Sequence, residues 1–397
     1  MKKVVLAYSG GLDTSYCAIY LSKEKQLEVH SVIVNTGGFS ESELKGIAEN
    51  ALKMGVSSHE SIDVTTRFYE DCVKYLVYGN VLRNNTYPLS VSAERVFQAL
   101  AIVEYAKKVG ADYVAHGSTG AGNDQVRFDL IFQILAPEIE ILTPIRDLQL
   151  SRQEEMDFLR ENGVDISWEK AQYSINKGLW GTSVGGVETL TSHKSLPEHA
   201  YPSQRSEENP VKVTLKFNKG QICGLDDFEG SPLEIIQKLE KKASRYAIGR
   251  DTHVGDTIIG IKGRVGFEAA APLIIIKAHH LLEKHVLTKW QQYWKDQLGV
   301  WYGMQIHEGQ YLEPALRNIE KLLEDSQENV TGEVIIKLEP YRFTLEGIRS
   351  DHDLMASDFG SYGEMNKGWS GEDVKSFTTI IANPMKIYYS VNKQKND

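Results

Sequence analysis

Apolar positions in the first part of the chain follow two alternating periods. Short apolar runs predict buried strands, whereas apolar residues that recur every three or four positions predict helices that bury one face. The predicted strands lie at 3–6, 29–34, 59–64, 111–115 and 139–142, and helices are predicted at 17–21, 44–52, 93–101 and 151–160. Alternating strand and helix units predict a mostly parallel sheet covered by helices, with ligands bound at the carboxyl ends of the strands.

From about Ser167 the pattern changes. Residues 173–186 are irregular, polar and aromatic, and residues 192–209 are typical of an exposed loop. Beyond them the pattern predicts strands at 211–217 and 257–261, helices at 233–239, 281–294 and 312–324, and a hairpin at 333–346 bent at Pro340. We therefore predict one domain at 1–166, a second at 167–361, and a tail at 362–397 whose apolar segments dock on another surface, which in an oligomer would be that of a neighbour.

Composition narrows the class of protein. The chain has 397 residues, of which 41% are hydrophobic and 25% charged, as expected for globular domains. Its formal net charge of −10 argues against a general electrostatic grip on nucleic acid. Three cysteines without paired spacing give no zinc or redox signature. Because the first apolar run is too short for a signal peptide and no later run spans a bilayer, we expect a cytoplasmic protein without a membrane partner.

The first strand ends in a loop suited to phosphate. Residues 7–15 read AYSGGLDTS, which places two glycines and three hydroxyl residues where a strand turns into a helix. Glycine permits a sharp turn and close ligand approach, and the free N–H groups of a helix N-terminus favour an anion. The loop lacks the lysine of a Walker A motif and the G-x-G-x-x-G spacing. A tight turn is the structural alternative, but this string after a first strand favours nucleotide binding.

A second glycine-rich segment follows the predicted strand at 111–115. Residues 116–128, HGSTGAGNDQVRF, combine three glycines with Asn123, Asp124 and Arg127 at one strand-to-helix junction. A mobile surface loop is the alternative interpretation. We favour a substrate site, because Asp124 can hold an ammonium group and Arg127 can clamp a carboxylate or polarise a carbonyl.

Two features further along carry weaker signals. The apolar and aromatic stripe at 281–294 is more typical of a core or a subunit interface than of a cofactor site. His279, His280 and His285 lack a convincing set of ligand partners, so no metal site is predicted there.

Together these strings resemble the argininosuccinate synthase family over most of the chain. The first loop alone resembles the pyrophosphate loop of the ATP pyrophosphatases, whereas residues 116–128, together with YSIN and LWGTS within 173–183, select the family. The resemblance implies an α/β fold. Its parts would be a parallel-sheet, Rossmann-like nucleotide-binding domain of the adenine nucleotide alpha hydrolase type, an α+β synthetase domain and a C-terminal oligomerisation tail that builds a homotetramer.

The resemblance also implies the reaction. The ureido oxygen of citrulline attacks the α-phosphorus of ATP, releasing diphosphate and leaving a citrullyl-adenylate. The amine of aspartate then displaces AMP to give argininosuccinate, a step of arginine biosynthesis. Such substitutions need alignment and charge stabilisation more than a nucleophilic side chain. Mg²⁺ is expected to travel with the phosphates of ATP rather than sit in a protein cage.

By position, the resemblance assigns three groups of site residues. The ATP contacts are Ala7, Tyr8, Ser9, Gly10, Gly11, Asp13, Thr14, Ser15, Val34 and Gly117. The citrulline contacts are Tyr87, Ser92, Asn123, Arg127, Ser174 and Ser183. The aspartate contacts are Thr119, Asn123 and Asp124. Tyr87 and Ser92 carry no signal of their own, because residues 84–92 are typical of a polar loop.

One departure concerns the citrulline site. Many proteins of the resembled family carry a glutamate and a tyrosine, twelve positions apart, that also hold citrulline, and this chain has Gly255 and Phe267 there. Glycine cannot hold an ammonium group, and phenylalanine lacks the hydroxyl. Three explanations stay open. The first expectation is that Asp256 or Glu268, one residue away, substitutes for the missing glutamate. The second is that the alignment is shifted. The third is that the substrate is an N-acylated (acetyl or succinyl) citrulline.

Other classes of protein fit the sequence less well. A tRNA-modifying ATP pyrophosphatase would want a basic face and usually a catalytic cysteine pair, and an amide-transferring one would want a glutaminase module. A nucleotide sensor without catalysis is a further class, and loss of Ser9, Asp13 or Asp124 would have favoured it. All three residues are present. We therefore expect a small-molecule ligase without a nucleic-acid partner.

Overall fold

Five parallel strands form the first sheet of the computed structural model. They are β1 (Lys3–Ala7), β2 (Glu28–Asn35), β3 (Ser58–Asp63), β4 (Tyr113–Ala115) and β5 (Glu140–Leu142), in the order β3-β2-β1-β4-β5. The chain builds outward from β1 first on one side and then on the other, so the topological switch point lies between β1 and β4. The predicted strands of this part are confirmed, with shifts of one or two residues at some ends.

Helices connect these strands. They are α1 (Leu12–Ile19), α2 (Glu41–Lys53), α3 (Thr65–Phe68), α4 (Lys74–Tyr78), α5 (Ser90–Val109), α6 (Asp124–Leu135), α7 (Pro144–Leu148) and α8 (Arg152–Glu161). Ser151 and Glu154 form a capping box at the start of α8, as the sequence predicts. The long helix α5 is buried over most of its length, including Val96, Ala99 and Val103. It therefore forms the central support of the first sheet.

Two antiparallel sheets follow. The smaller contains β6 (Ser174–Gly178), β7 (Gly181–Gly185), β11 (Arg250–Asp256) and β12 (Lys262–Glu268), in the order β11-β12-β7-β6. The larger contains β8 (Val211–Asn218), β9 (Gln221–Leu225), β10 (Phe228–Glu229), β13 (Gly332–Glu339) and β14 (Arg342–Arg349), in the order β10-β9-β8-β13-β14. The remaining helices are α9 (Pro232–Ala243), α10 (Ala270–Val286), α11 (Lys289–His307), α12 (Pro314–Asp325), α13 (Gly371–Ile381) and α14 (Asn383–Lys393).

Three predictions for this part are wrong. Residues 257–261 are not a strand but the turn between β11 and β12, closed by the Thr257 N–H donating to the Ile261 carbonyl at 2.8 Å. The stripe at 281–294 spans two helices, because Thr288 starts α11 with a capping box. Residues 173–186, expected to be irregular, pair as the hairpin β6–β7. Trp290, one of the stripe's aromatics, is 63% exposed and lies outside the core.

The structure describes residues 1–164, 173–360, 362–364 and 368–393. The predicted domain boundary at 166/167 lies outside these residues, and the three-domain division stays a prediction. Residues Met1–Asp351 form one compact unit, and His352–Asp397 form a second. In the first unit, a single buried cluster joins α5 to the larger antiparallel sheet and α10. In the described part of the chain no helix is both long and apolar enough to cross a membrane.

Candidate active site

The turn after β1 is shaped to present backbone N–H groups. Gly10 adopts a positive φ of +76°, which a side chain would strain, and Gly11 precedes α1 in an extended conformation. No side chain caps the first turn of α1 among the described residues. The leading N–H groups of this helix are therefore available to an anion, and the positive end of its dipole favours one.

Hydroxyl groups brace this turn. The Ser9 and Thr14 hydroxyl oxygens lie 3.3 Å apart, and Thr14 Oγ1 donates to the Gly11 carbonyl at 3.2 Å. Ser15 differs from them, since it is fully buried and its Oγ lies 3.5 Å from the Tyr8 hydroxyl. Ser9 and Thr14 thus face the cleft, whereas Ser15 supports the loop from beneath.

The second glycine-rich segment lies against the first at the switch point. A Cβ placed on Gly117 would be 3.2 Å from both Asp13 Cβ and the Asp13 carbonyl carbon, which is closer than ordinary van der Waals contact. A glycine at 117 is what allows the two loops to approach this closely. The two predicted ligand loops, separated by about 100 positions in the sequence, therefore meet at one edge of the sheet.

His116 fixes the start of the second loop. Its Nδ1 accepts from the Ser118 N–H at 3.2 Å, so its Nε2 is left to donate to Asp129 at 2.8 Å. Asp129 also accepts from Arg146 at 2.8 Å. Burial alone would raise the pKa of Asp129, but the hydrogen bonds from His116 and Arg146 outweigh it and lower the pKa. The loop is held by a neutral imidazole between a backbone donor and a carboxylate.

Asp124 is the centre of a charged cluster at the start of α6. Its two oxygens accept from Arg95 Nε and Arg127 NH1, each at 2.9 Å. Burial opposes the ionised form, but the charges of Arg95 and Arg127 prevail and lower the pKa of Asp124. Arg95 also donates to Asn176 on β6 at 3.1 Å. The cluster thereby ties the first domain's sheet edge to the β6–β7 hairpin.

Arg127 is buried, and several of its N–H donors already bind acceptors of the protein. Its Nε and NH2 donate to the His307 carbonyl at 3.0 and 2.8 Å, which binds the end of α11 to α6. Guanidinium carries five N–H donors. Three serve these bonds and the one to Asp124, and a fourth, on NH2, meets His307 Nδ1 at 3.4 Å, so one donor on NH1 remains for a ligand. Ser92 Oγ lies 3.3 Å from His307 Nδ1. Ser92 and Arg127, two predicted citrulline contacts, are therefore neighbours through His307.

The ring of Tyr87, rather than its hydroxyl, is available for contacts in the cleft, because the hydroxyl already accepts two hydrogen bonds. The hydroxyl accepts from Ser90 Oγ at 3.2 Å and from the Val91 N–H at 3.1 Å. The ring stacks on His253 at 5.1 Å between centroids. Leu89, which lies between Tyr87 and Ser90 in the sequence, adopts a positive φ of 64°. This conformation is strained for a branched side chain and is typical of functional loops.

One cleft of about 1140 Å³ joins these groups. It is larger than the usual pocket for a single small ligand, as two or three substrates would require. Its walls include every predicted site residue except Ser15, namely Ala7, Tyr8, Ser9, Gly10, Gly11, Asp13, Thr14, Val34, Tyr87, Ser92, Gly117, Thr119, Asn123, Asp124, Arg127, Ser174 and Ser183. The roles of the individual residues stay predictions.

The compensation expected for Gly255 is wrong. Gly255 pairs with Gly263, and Asp251 with Phe267, in the antiparallel register of β11 and β12. Successive side chains of a strand point to opposite faces, so residues 256 and 268 lie on the face opposite Gly255 and Phe267. Asp256 binds Lys262 at 2.6 Å and Glu268 binds Arg250 at 2.8 Å. Glu268 is thus engaged by Arg250, and Asp256, although it lines the cleft, lies on the face opposite Gly255.

Sequence reasoning missed Arg95, Asn176 and His307. The only signal at Arg95 was a cation within an otherwise apolar helical stripe. Asn176 and His307 are brought to the cleft by the β6–β7 hairpin and by the end of α11. Asn176 belongs to the YSIN string, which carried no separate role for it, and no local pattern marks His307. No group of three His, Cys, Asp or Glu residues suited to a metal occurs among the described residues.

Comparisons with known proteins identify the family. Residues 3–165 match the family model of the arginosuccinate synthase N-terminal HUP domain, and residues 173–388 match that of the arginosuccinate synthase C-terminal domain. The chain is 37% identical over 368 residues to the argininosuccinate synthase of Dictyoglomus thermophilum, covering 91% of this chain and 92% of the relative.

Two further relatives carry the same name. The argininosuccinate synthase of Methanocaldococcus jannaschii is 36% identical over 365 residues, or 91% of each chain. That of Xylella fastidiosa is 34% identical over 400 residues, which is 99% of this chain and 98% of the relative. None of these names refers to an acylated substrate. The match of sequence, fold and cleft shows that this chain belongs to the argininosuccinate synthase family of ATP-dependent ligases.

Proposed function

We propose that the protein joins a citrulline-type ureido group to aspartate at the expense of ATP, giving argininosuccinate, AMP and diphosphate. The observation that carries this proposal is the contact of the two glycine-rich loops at Gly117 and Asp13. A phosphate site and a cluster of amino-acid-binding charges then share one cleft. Membership of the family supports the same reaction.

In the first step the ureido oxygen attacks the α-phosphorus of ATP. The new P–O bond forms as the bond to the bridging oxygen breaks, and diphosphate leaves with its electron pair. The N–H groups at the start of α1 and the hydroxyls of Ser9 and Thr14 are placed to hold the departing phosphates. Fixed donors of this kind stabilise developing charge without reorganising during the reaction.

In the second step the aspartate nitrogen attacks the activated ureido carbon. The C–O bond to AMP breaks, and the nitrogen has lost its extra proton to solvent before the attack. Thr119, Asn123 and Asp124 are proposed to hold aspartate, since they lie on the second loop beside the phosphate site. Arg95 and Arg127 keep Asp124 ionised, as an ammonium ligand requires.

Magnesium would be held mainly by the phosphate oxygens of ATP. Asp13, at the start of α1 and on the wall of the cleft, is an oxygen donor suited to a hard cation. When bound, Mg²⁺ would neutralise part of the charge of the triphosphate. The chain's own loops align the substrates and stabilise the remaining charge.

The test is diphosphate release by the purified full-length chain. ATP, aspartate and a citrulline substrate are mixed together, and each is omitted in turn. Release should require the ureido substrate, and mass spectrometry should detect AMP and the condensed product only when aspartate is present. Diphosphate release with no ureido substrate of any kind, or none with any of them, would refute the proposed reaction.

We also propose a cytoplasmic homotetramer. Helix α11 exposes several large apolar side chains, namely Trp290, Tyr293, Trp294, Val300 and Trp301, each at least half exposed. The helices of the second unit, α13 and α14, expose Phe377, Ile380, Ile387 and Tyr388 as well. Apolar patches of this kind are typical of subunit interfaces. Light scattering with size-exclusion chromatography should give four times the chain mass of 44.6 kDa.

A further inference from the structure

The wall of the cleft formed by β11 and β12 has an unusual lining. The pleat places His253, Gly255, Val265 and Phe267 on one face, and that face meets Tyr87, whose ring centroid lies 5.3 Å from that of Phe267. Ser92 and Arg127, proposed for the ureido substrate, lie next to this face through His307. The reacting end of that substrate must reach the phosphate loop. We therefore place its amino-acid end against this wall.

No carboxylate is available there for an α-ammonium group. The acidic residues lining the cleft are Asp13, Glu43, Asp124 and Asp256. Asp13 belongs to the phosphate loop, and Glu43 caps α2 through Ser40. Asp124 is already assigned to the ammonium group of aspartate, and Asp256 is paired with Lys262 on the opposite face. Asp251 shares the face of Gly255 by register but does not line the cleft, so the described residues that line this wall offer no free anionic group.

Cationic groups and unused donors surround the same wall instead. His253 and His307 are 6% and 5% exposed, and each has one buried ring nitrogen without a partner, as does Arg83 through Nε. Burial, together with the charges of Arg127 and Arg83, lowers the pKa of His307 to about 3. Burial and Arg83 also lower the pKa of His253. The local field is thus positive, and it disfavours a second cation.

Gly255 packs closely against two further polar groups of this wall, His253 Nε2 and Asn84 Nδ2. A Cβ at this position would be 2.8 Å from His253 Nε2 and 3.3 Å from Asn84 Nδ2. Asn84 Nδ2 donates one proton to the Val254 carbonyl at 2.9 Å, so its second proton is left for a ligand. Because 2.8 Å is closer than real Cβ contacts, a side chain at residue 255 would displace the His253 ring, whereas glycine lets both polar groups stay in place.

We propose that this subsite takes an acyl group attached to the α-nitrogen of the ureido substrate, with a carboxylate at its far end. An amide nitrogen carries no charge, so it needs no anionic partner. The acyl chain lies along the wall beside Gly255, which carries no side chain, and its carboxylate accepts from His253 and Asn84 in the field of Arg83. The substrate class is an N-acylated citrulline with a short dicarboxylic acyl group such as succinyl. This inference rests on the proposed function.

Turnover of three ureido substrates tests the inference on the unmodified enzyme. Diphosphate release is measured with ATP, aspartate and either citrulline, N-acetylcitrulline or N-succinylcitrulline. We expect kcat/KM for the succinyl compound to exceed that for citrulline by at least about 100-fold, the scale of one lost charge pair at a buried site. The acetyl compound should fall between them.

The outcomes distinguish failure of the acylated-substrate inference from failure of the proposed ligase function. Equal or better turnover of free citrulline overturns the acylated substrate and leaves the ligase reaction standing. Equal turnover of the acetyl and succinyl compounds overturns the proposed role of the terminal carboxylate and supports the recognition of an acyl group. Failure with all three compounds refutes the proposed function itself.

Two variants probe the subsite directly. Gly255→Glu displaces the His253 ring and supplies an anion, so it should lower turnover of the succinyl compound and raise that of citrulline at least about tenfold. Ile261→Glu adds the same charge on the exposed turn of the same hairpin and should leave the substrate ratio unchanged. Arg83→Gln should raise the KM for the succinyl compound and leave that for the acetyl compound within about twofold. This variant keeps the test informative if Gly255→Glu fails to fold, as thermal melting would reveal; an equal rise in both KM values overturns the role of Arg83.

Discussion

Replacement of Gly117 by alanine tests the contact between the two ligand loops. The added Cβ would lie 3.2 Å from two carbon atoms of Asp13 and 3.3 Å from the Asp13 carbonyl oxygen. These distances are shorter than ordinary contacts, and two of the three neighbours are backbone atoms that cannot rotate away. The loops of Gly117→Ala must therefore separate by a few tenths of an ångström.

The expected magnitude follows from this overlap. One methyl group forced into a packed contact costs about 1 to 3 kcal/mol. In the free enzyme the loops can relax apart, whereas bound ATP requires both, so most of the cost should appear in binding. We expect the dissociation constant of ATP to rise about 5- to 150-fold, with a smaller change in thermal stability.

Gly122→Ala is the matched control. It lies in the same glycine-rich segment, and a Cβ there would meet nothing within 4 Å. Titration calorimetry with ATP should show unchanged affinity for this variant and weakened affinity for Gly117→Ala. Unchanged affinity in Gly117→Ala would refute the loop contact as the basis of the site, and equal weakening in both variants would indicate a general sensitivity of the loop.

Three further predictions concern the same cleft. Gly10→Val should abolish ATP binding, since residue 10 has φ of +76° and a β-branched side chain is strained there; retained affinity, measured by calorimetry, would exclude this loop as the phosphate site. Asp124→Ala should raise the KM for aspartate at least about tenfold and change ATP affinity by less than about threefold, because the loss falls on an ammonium partner; equal losses would contradict that role. Glu155 is buried beside Asp13, and burial followed by the Asp13 charge raises its pKa to about 8. The folded state then binds an extra proton, so the stability that this proton contributes should be lost as pH rises from about 4.5 to about 8. Glu155→Gln should flatten that slope in denaturant titrations, and an unchanged slope would remove Glu155 as its source.

Much of the first domain is predictable because its signals are local. Most strands of the parallel sheet contain a short apolar run, although β3 is mostly polar, and the capping box at Ser151 is readable from two residues. The phosphate loop combines its glycines, hydroxyls and carboxylate within nine consecutive positions, so the sequence alone identifies it. Backbone geometry at Gly10 and the helix start at Leu12 are consequences of those same residues.

The second part is less predictable because its elements depend on distant partners. Residues 257–261 are apolar enough for a strand, but the flanking segments pair with each other and leave them as the turn. Residues 173–186 carry many polar groups, and they form a hairpin because β12 supplies a partner for β7. In the first case the pairing strands are neighbours in the chain, and in the second they are some 80 residues apart, but in both the pairing overrides local composition.

The amino-acid sequence by itself determined the nucleotide loop, the parallel sheet and the family of reactions, since each follows from residues adjacent in the chain. Only the tertiary structure decided which charges share the cleft. Arg95 and His307 reach it from separate helices, and the pleat of β11 and β12 turns Asp256 and Glu268 away from Gly255. The physical reason is that a side chain's face depends on pairing register and helix packing, which connect positions far apart in the chain.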